Sequence, residues 1–141
     1  MNLYSIKNSV DQKGMYMRFV ISLVTSLYFG GVLSVAAQGF DKGFFAYMMG
    51  DYSTALIEWR VRAEQGSVTA QANLGNMYEI GAGVAQSNIL AHQWYNLAAS
   101  NGDATARENR EILAKKMTAS EISKAIALAR KCMISGYSDC E

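Results

Sequence analysis

The pattern Ala55-x-x-x-Trp59-x-x-x-Ala63-x-x-Gly66-x-x-x-Ala70 returns 36 positions later as Ala91, Tyr95, Ala99, Gly102 and Ala106. Five small or aromatic positions keep their register, and a fixed period of this length marks a repeat architecture. Within it, Ala70, Leu74 and Tyr78 recur at helical spacing, as do Ala91, Tyr95 and Ala98 or Ala99, so each run carries a narrow apolar stripe. The short loop Gly81 to Gln86 joins the two runs, and Ala70 to Gly102 therefore reads as one antiparallel helix pair. Gly75 beside Leu74 lets two backbones approach closely, while Gly81, Gly83 and Gly102 stand where a helix ends in the left-handed conformation. One such pair cannot bury its own stripe, so stacked neighbours must supply the core. Trp59, Trp94, Tyr78 and Tyr95 are expected to pack against the small residues of that core.

The flanking segments continue the helical reading. A helix is expected from about Phe40 to Met49, with Phe40, Phe44 and Met48 on one face and Phe45 and Met49 beside it. Gly50 stops it, and Asp51 caps the next helix, from about Tyr52 to Gln65. Asp103 is the expected cap of a helix to about Lys116, with Ala106, Leu113 and Met117 inward. Thr118-Ala119-Ser120-Glu121 has the form of a capping box. Ile122, Ala125, Ile126 and Leu128-Ala129 then give the last helix its apolar face, with Lys115, Lys116, Lys124, Arg130 and Lys131 as its solvated outside. The chain contains no proline, which suits helix throughout.

At the other end, Lys7, Lys13 and Arg18 precede the uncharged run Phe19 to Ala37, which closes on Val35-Ala36-Ala37. Basic, apolar and small-residue segments in that order are the layout of a secretory signal peptide. The same run, at about 1.5 Å per residue, nearly spans a bilayer core of about 30 Å, so a retained anchor is the alternative. Met15 and Met17 are alternative starts. The expected division is residues 1–37 as signal peptide or anchor and 38–141 as the folded domain. Cleavage after Ala37 leaves 10 Lys and Arg against 11 Asp and Glu. So even a balance argues against an electrostatic nucleic-acid binder.

Leu74-Gly75-x-x-Tyr78-x-x-Gly81-x-Gly83-Val84 followed by Ala91-x-x-Trp94-Tyr95-x-x-Ala98-Ala99-x-x-Gly102 resembles a full Sel-like repeat, a relative of the tetratricopeptide repeat. Gly50-Asp51-Tyr52-x-x-Ala55 resembles the turn and second helix of a preceding unit, and Ala106 to Thr118 the closing segment of exported bacterial members. Arg110 stands where a repeat would put leucine, so the last pair reads as a cap. The resemblance implies an all-α solenoid of about three stacked antiparallel hairpins: a partial unit over 39–66, a complete repeat over 67–102 and a capping pair over 103–141. It also implies a groove lined by the first helix of each unit. There the core positions Leu74, Gly75 and Tyr78 leave Thr69, Ala72, Asn76 and Glu79 facing a protein or peptide partner. Asn76 can donate to and accept from an extended backbone, and Glu79 adds a specificity charge.

Two cysteines, Cys132 and Cys140, lie near the end. On one continuous helix they would be about 12 Å apart, against the roughly 5.5 Å between alpha carbons that a disulfide needs. Pairing therefore requires the helix to break near Ser135-Gly136 and the tail to fold back. In an exported protein the two are expected to pair, and closing so short a loop stabilises by about 2.5 kcal/mol on the chain-entropy estimate. In a retained cytosolic protein they would be two free thiols. His92 alone could join them at a metal, and it lies a whole repeat away, so neither metal nor cofactor is expected. No Ser-x-x-Lys, Gly-x-Ser-x-Gly or phosphate-binding Gly-rich signature occurs, and no enzyme is expected.

The sequence thus points to an exported, periplasmic or secreted interaction module of a bacterial envelope, with self-association left open. The competing readings are a cysteine-paired envelope enzyme of the beta-lactam-binding type and a membrane-tethered assembly factor in which residues 19–37 are retained and supply the membrane contact. Intact mass spectrometry of protein recovered from an envelope fraction, with and without reduction and alkylation, decides between them. The expected mass is that of Gln38 to Glu141 less two hydrogens. An uncleaved mass with both thiols free would overturn export and pairing together.

Overall fold

Each helix from the second onward starts on a short polar side chain that accepts from a free amide three residues on. The computed structural model describes residues 41–140. Six helices follow in order: α1 Lys42–Met48, α2 Tyr52–Glu64, α3 Val68–Ile80, α4 Asn88–Ser100, α5 Ala104–Ala114 and α6 Ala119–Ile134. Asp51, Ser67, Ser87, Asp103 and Thr118 cap α2 to α6, accepting from the amides of Thr54, Ala70, Leu90, Ala106 and Glu121. Each such cap contributes about 1 kcal/mol. At Thr118 the box closes reciprocally, and the amide and hydroxyl of Thr118 hold the Glu121 carboxyl below its usual range. Gly50, Gly66, Gly81 and Gly102 all adopt positive φ at the helix ends.

The fold is all-α among the described residues, with neighbouring helices packed as in an α/α solenoid. Successive helices from α1 to α4 pack pairwise, and α5 and α6 both lie against α4. Helix α4 is thereby enclosed. Eight of its thirteen residues are buried, including the unbroken run Ala91 to Tyr95. Its expected narrow stripe is instead a helix covered nearly all round, which places His92 and Gln93 in the interior.

Within the first two pairs one device recurs. An added Cβ on Gly75 would lie 2.5 Å from the ring of Tyr95, and one on Gly43 2.5 Å from Nε1 of Trp59. Each hairpin is closed by an aromatic ring of its second helix packed against a glycine of its first. Gly43 precedes Trp59 by sixteen residues and Gly75 precedes Tyr95 by twenty. The connecting loops account for the difference, being 49–51 in the first pair and 81–87 in the second. The third pair has no such glycine, and α5 and α6 pack chiefly on α4 rather than on each other. The cap is therefore two helices leaning on a common support. Arg110, at the position expected for leucine, reaches back so that its guanidinium donates to Asn96 Oδ1 at 2.7 Å.

Two expected faces are corrected. In α1 the buried residues are Gly43 and Ala46, whereas Phe44, Phe45 and Met48 are 56%, 55% and 66% exposed. The indole of Trp59 takes the space along α1, so the side of the helix that fits against it is the one with the smallest side chains, and the phenylalanines turn away. Phe40 lies outside the described residues, as do 1–39. In α6 the buried residues are Ala125, Ala129 and Cys132, while Ile126 is exposed, because small residues bring α6 close to α4. The other expected core positions Trp59, Tyr78, Trp94, Tyr95, Ala106 and Leu113 are buried.

Gly75→Ala tests the glycine lock by its sign. Alanine favours an open helix by about 1 kcal/mol, but overpacking against the Tyr95 ring costs about 1–3 kcal/mol. The single variant should be less stable than wild type in urea unfolding, and the same substitution in a Tyr95→Ala background should be neutral or stabilising. Equal effects in both backgrounds would show that the ring does not set the approach.

Candidate functional site

Helix α3 shows its core to one side, through Ala70, Gln71, Leu74, Gly75, Met77 and Tyr78, and leaves the opposite side open. Thr69, Ala72, Asn76 and Glu79, at intervals of three and four residues, share that open side. Thr69 and Asn76 are exposed, and Ala72 and Glu79 half-buried. Of the four, the structure brings Asn76 and Glu79 into a hydrogen-bonded cluster and leaves Thr69 and Ala72 outside it.

Two tyrosines complete the cluster. The Tyr95 hydroxyl donates to Glu79 Oε2 at 2.8 Å, and the Tyr47 hydroxyl donates to Asn76 Oδ1 at 3.4 Å. Burial first, and then the adjacent Glu79 carboxylate, hold the Tyr95 hydroxyl protonated far above the usual phenol range, with Asn76 pulling partly the other way. The carboxylate is thus fixed by a donor that does not ionise. On the far side Gln86 Nε2 donates to the Glu79 carbonyl at 2.7 Å, tying the 81–87 loop to the end of α3. Tyr47 in turn stands edge-on to Tyr52, with centroids 5.3 Å apart, and tilted against Trp59 at 5.4 Å. The sequence reading missed Tyr47 and took Tyr95 for core alone. A tyrosine buries its ring and presents its hydroxyl, and only the first role shows in a periodicity.

A second polar group links α2, α3, α4 and the tail. Gln71 Nε2 donates to the Ala63 carbonyl at 3.3 Å, and Asn101 Nδ2 donates both to Gln71 Oε1 and to the Tyr137 hydroxyl at 3.0 Å. Gln93 Nε2 donates to the carbonyl of Cys140, and Cys132 and Cys140 are joined, with alpha carbons 4.3 Å apart. The helix does break at Ser135 and Gly136, and the tail returns over α4. Among the described residues, no group of three or more His, Cys, Asp or Glu side chains is placed to hold a metal.

The open face of α3, the glycine under Tyr95 and the capped loop 81–87 all fall within one 36-residue stretch. Residues 68–103 match the family model of the Sel1 repeat. The match runs from the first turn of α3, through α4, to the cap of α5. It supports a Sel1-like, tetratricopeptide-like scaffold, and Sel1 repeats are generally non-catalytic and mediate protein–protein contact.

His92, the one histidine of the chain, is 4% exposed, and burial, followed by the charge of Arg110, lowers its pKa below the ordinary value of 6.5. The folded state therefore binds its proton less readily than the unfolded chain does. Stability from this group is complete above about pH 6.5 and is lost as the pH falls through the folded-state value. Wild type should show a fall in denaturation midpoint as the pH drops below about 6.5 that is absent from His92→Gln. Parallel pH profiles for the two proteins would exclude His92 as the source.

Proposed function

We propose that the chain is an exported adaptor whose Sel1-type repeat binds an extended peptide of a partner protein across the open face of α3. The observation that carries this reading is the fixed pair Asn76 and Glu79. Asn76 offers an amide able to donate and accept, and Glu79 a carboxylate whose position is set by the Tyr95 hydroxyl. Fixing these groups before a ligand arrives lowers the ordering cost of binding. Ala72 and Thr69, one and two turns earlier on the same face, extend the surface along the helix.

The register of the units indicates what kind of peptide fits. Aligning Gly43 with Gly75 places Phe44 level with Asn76, and the 36-residue period places Ile112 at the same level. Phe44 is 56% exposed and Ile112 44%. A segment crossing the three units at this level meets an apolar side chain, then Asn76, then another apolar side chain. The matching ligand is an extended stretch with a polar centre, a cationic group near it for Glu79, and apolar residues on either side.

Export to the envelope is part of the proposal. It is supported by the basic, apolar and small-residue order of residues 1–37 and by a cysteine pair placed to bond, since such bonds persist in oxidising compartments.

Selecting random peptides displayed on phage against the purified domain tests the binding face. Peptides enriched on wild type should lose about tenfold or more in affinity for Asn76→Ala with Glu79→Gln, a loss of hot-spot size, while the melting temperature is unchanged. Enriched peptides that bind the double variant equally well would place the interaction elsewhere.

A further inference from the structure

The tail after α6 is held down in a way that separates it from the rest of the fold. Its backbone turns through two left-handed residues, Gly136 at φ 64° and Tyr137 at φ 68°. Tyr137 is not a glycine, and that conformation costs it energy that its surroundings must offset. Part of the offset is local to the turn: the Tyr137 amide donates to the Cys132 carbonyl at 2.8 Å, the Asp139 amide donates to Ser135 Oγ at 3.1 Å, and Tyr137 packs against the core. The Tyr137 hydroxyl meets Asn101, Gln93 meets the Cys140 carbonyl, and Lys131 pairs with Asp139 at 2.8 Å between two half-exposed side chains, which holds little. The Cys132–Cys140 bond is the covalent tie, and it joins the tail to the buried side of α6.

What lies beneath the tail is polar and waiting for partners. Gln93 is fully buried and its Oε1 has no hydrogen-bond partner; the same is true of Nε1 of Trp94, which is 1% exposed. Beside them is a cleft of about 180 Å³ bounded by Arg60 and Glu64 of α2, Trp94, and the tail residues Ser138 to Cys140. Gln93 already reads one main-chain carbonyl, that of Cys140. Its unused acceptor and the indole donor are the complement of one more N–H and one more C=O of an extended chain. The tail therefore sits on a surface suited to reading backbone and uses only part of it.

We propose that the Cys132–Cys140 bond is a redox latch: its reduction releases residues 135–140 from α4 and uncovers Gln93, Trp94 and the Arg60–Glu64 cleft, while the helical array stays folded. The reductant is a dithiol, such as the active-site pair of a thiol–disulfide oxidoreductase. Its thiolate attacks Sγ of Cys140, which is 8% exposed against 0% for Cys132. The sulfur–sulfur bond breaks and Cys132 leaves as a thiolate that takes up a proton. The second thiol of the reductant then attacks the mixed disulfide, releasing Cys140 as its thiolate, also protonated, and leaving the reductant as a disulfide. Two electrons and two protons pass to the protein. The array keeps its core because the buried residues of α1 to α5 and the glycine locks lie outside the loop that the bond closes.

The test uses the full chain carrying Trp59→Phe, so that Trp94 is the one indole, oxidised and then reduced with dithiothreitol, alongside Cys132→Ser with Cys140→Ser. Acrylamide quenching of Trp94, hydrogen exchange at Gly136, Tyr137 and Asp139, and far-UV circular dichroism are read together. Opening of the tail alone predicts exchange there about tenfold faster or more, a several-fold rise in quenching, unchanged helical signal, and reversal on reoxidation. Unchanged quenching and exchange on reduction would show that non-covalent contacts hold the tail and would overturn the latch. Cooperative loss of helical signal, in the reduced protein or the double variant, would overturn it in the other direction, making the bond a staple of the whole domain.

Discussion

The contact on which this structure depends is an aromatic ring lying on a glycine. A helix pair normally keeps its axes 8–10 Å apart because side chains must interleave. Replacing one side chain by hydrogen lets the ring of the second helix settle against the backbone of the first, so the approach is fixed at one point and in one direction. Tyr95 over Gly75 and Trp59 over Gly43 do this in successive units. The same ring carries the Tyr95 hydroxyl out to the open face, where it meets Glu79. Core and candidate site are thus two ends of one side chain, and the geometry of the second follows from the packing of the first.

Loop length is secondary to that contact. The first pair is joined by residues 49–51 and the second by 81–87, and the glycine and ring keep their relation across both. Where the glycine is missing, in the last two helices, the hairpin relation is lost and both helices settle on α4. That helix becomes enclosed because it receives neighbours from both sides, and enclosure draws two polar residues, His92 and Gln93, into the interior.

Much of this architecture was legible in the residues, for a physical reason that differs from element to element. The caps Asp51, Asp103 and Thr118 announce themselves because short polar side chains before an apolar run have few other uses. Ser67 and Ser87 do the same work without the flanking signals that mark it. The period of 36 revealed the core alanines and the buried aromatics, since small and large residues must alternate at fixed places for stacked pairs to fit. It could not reveal that α1 turns its phenylalanines outward. A helix of seven residues carries too few positions to fix its orientation, and there the bulk of Trp59 decides. Nor could it show Gln71 and Gln93 as interior residues, because a glutamine is buried only when a distant partner satisfies it. The Sel-like resemblance pointed to Asn76 and Glu79, but their tyrosine partners came from two other helices and were visible only once the helices were assembled.

Gln93 also ties the middle of the chain to its end. Its side-chain Nε2 donates to a carbonyl 47 residues later, at Cys140. On the ribosome the chain grows from the N-terminus, and helices α1 to α4 are made before Cys140 is added. Until Cys140 arrives, the central helix carries a polar group that must either stay hydrated or be buried without a partner, at a cost of about 1–3 kcal/mol. A chain halted short of that residue therefore leaves the Gln93 donor, in its most enclosed helix, without this partner. The most enclosed helix thus gains this partner only after every other helix of the array has been made.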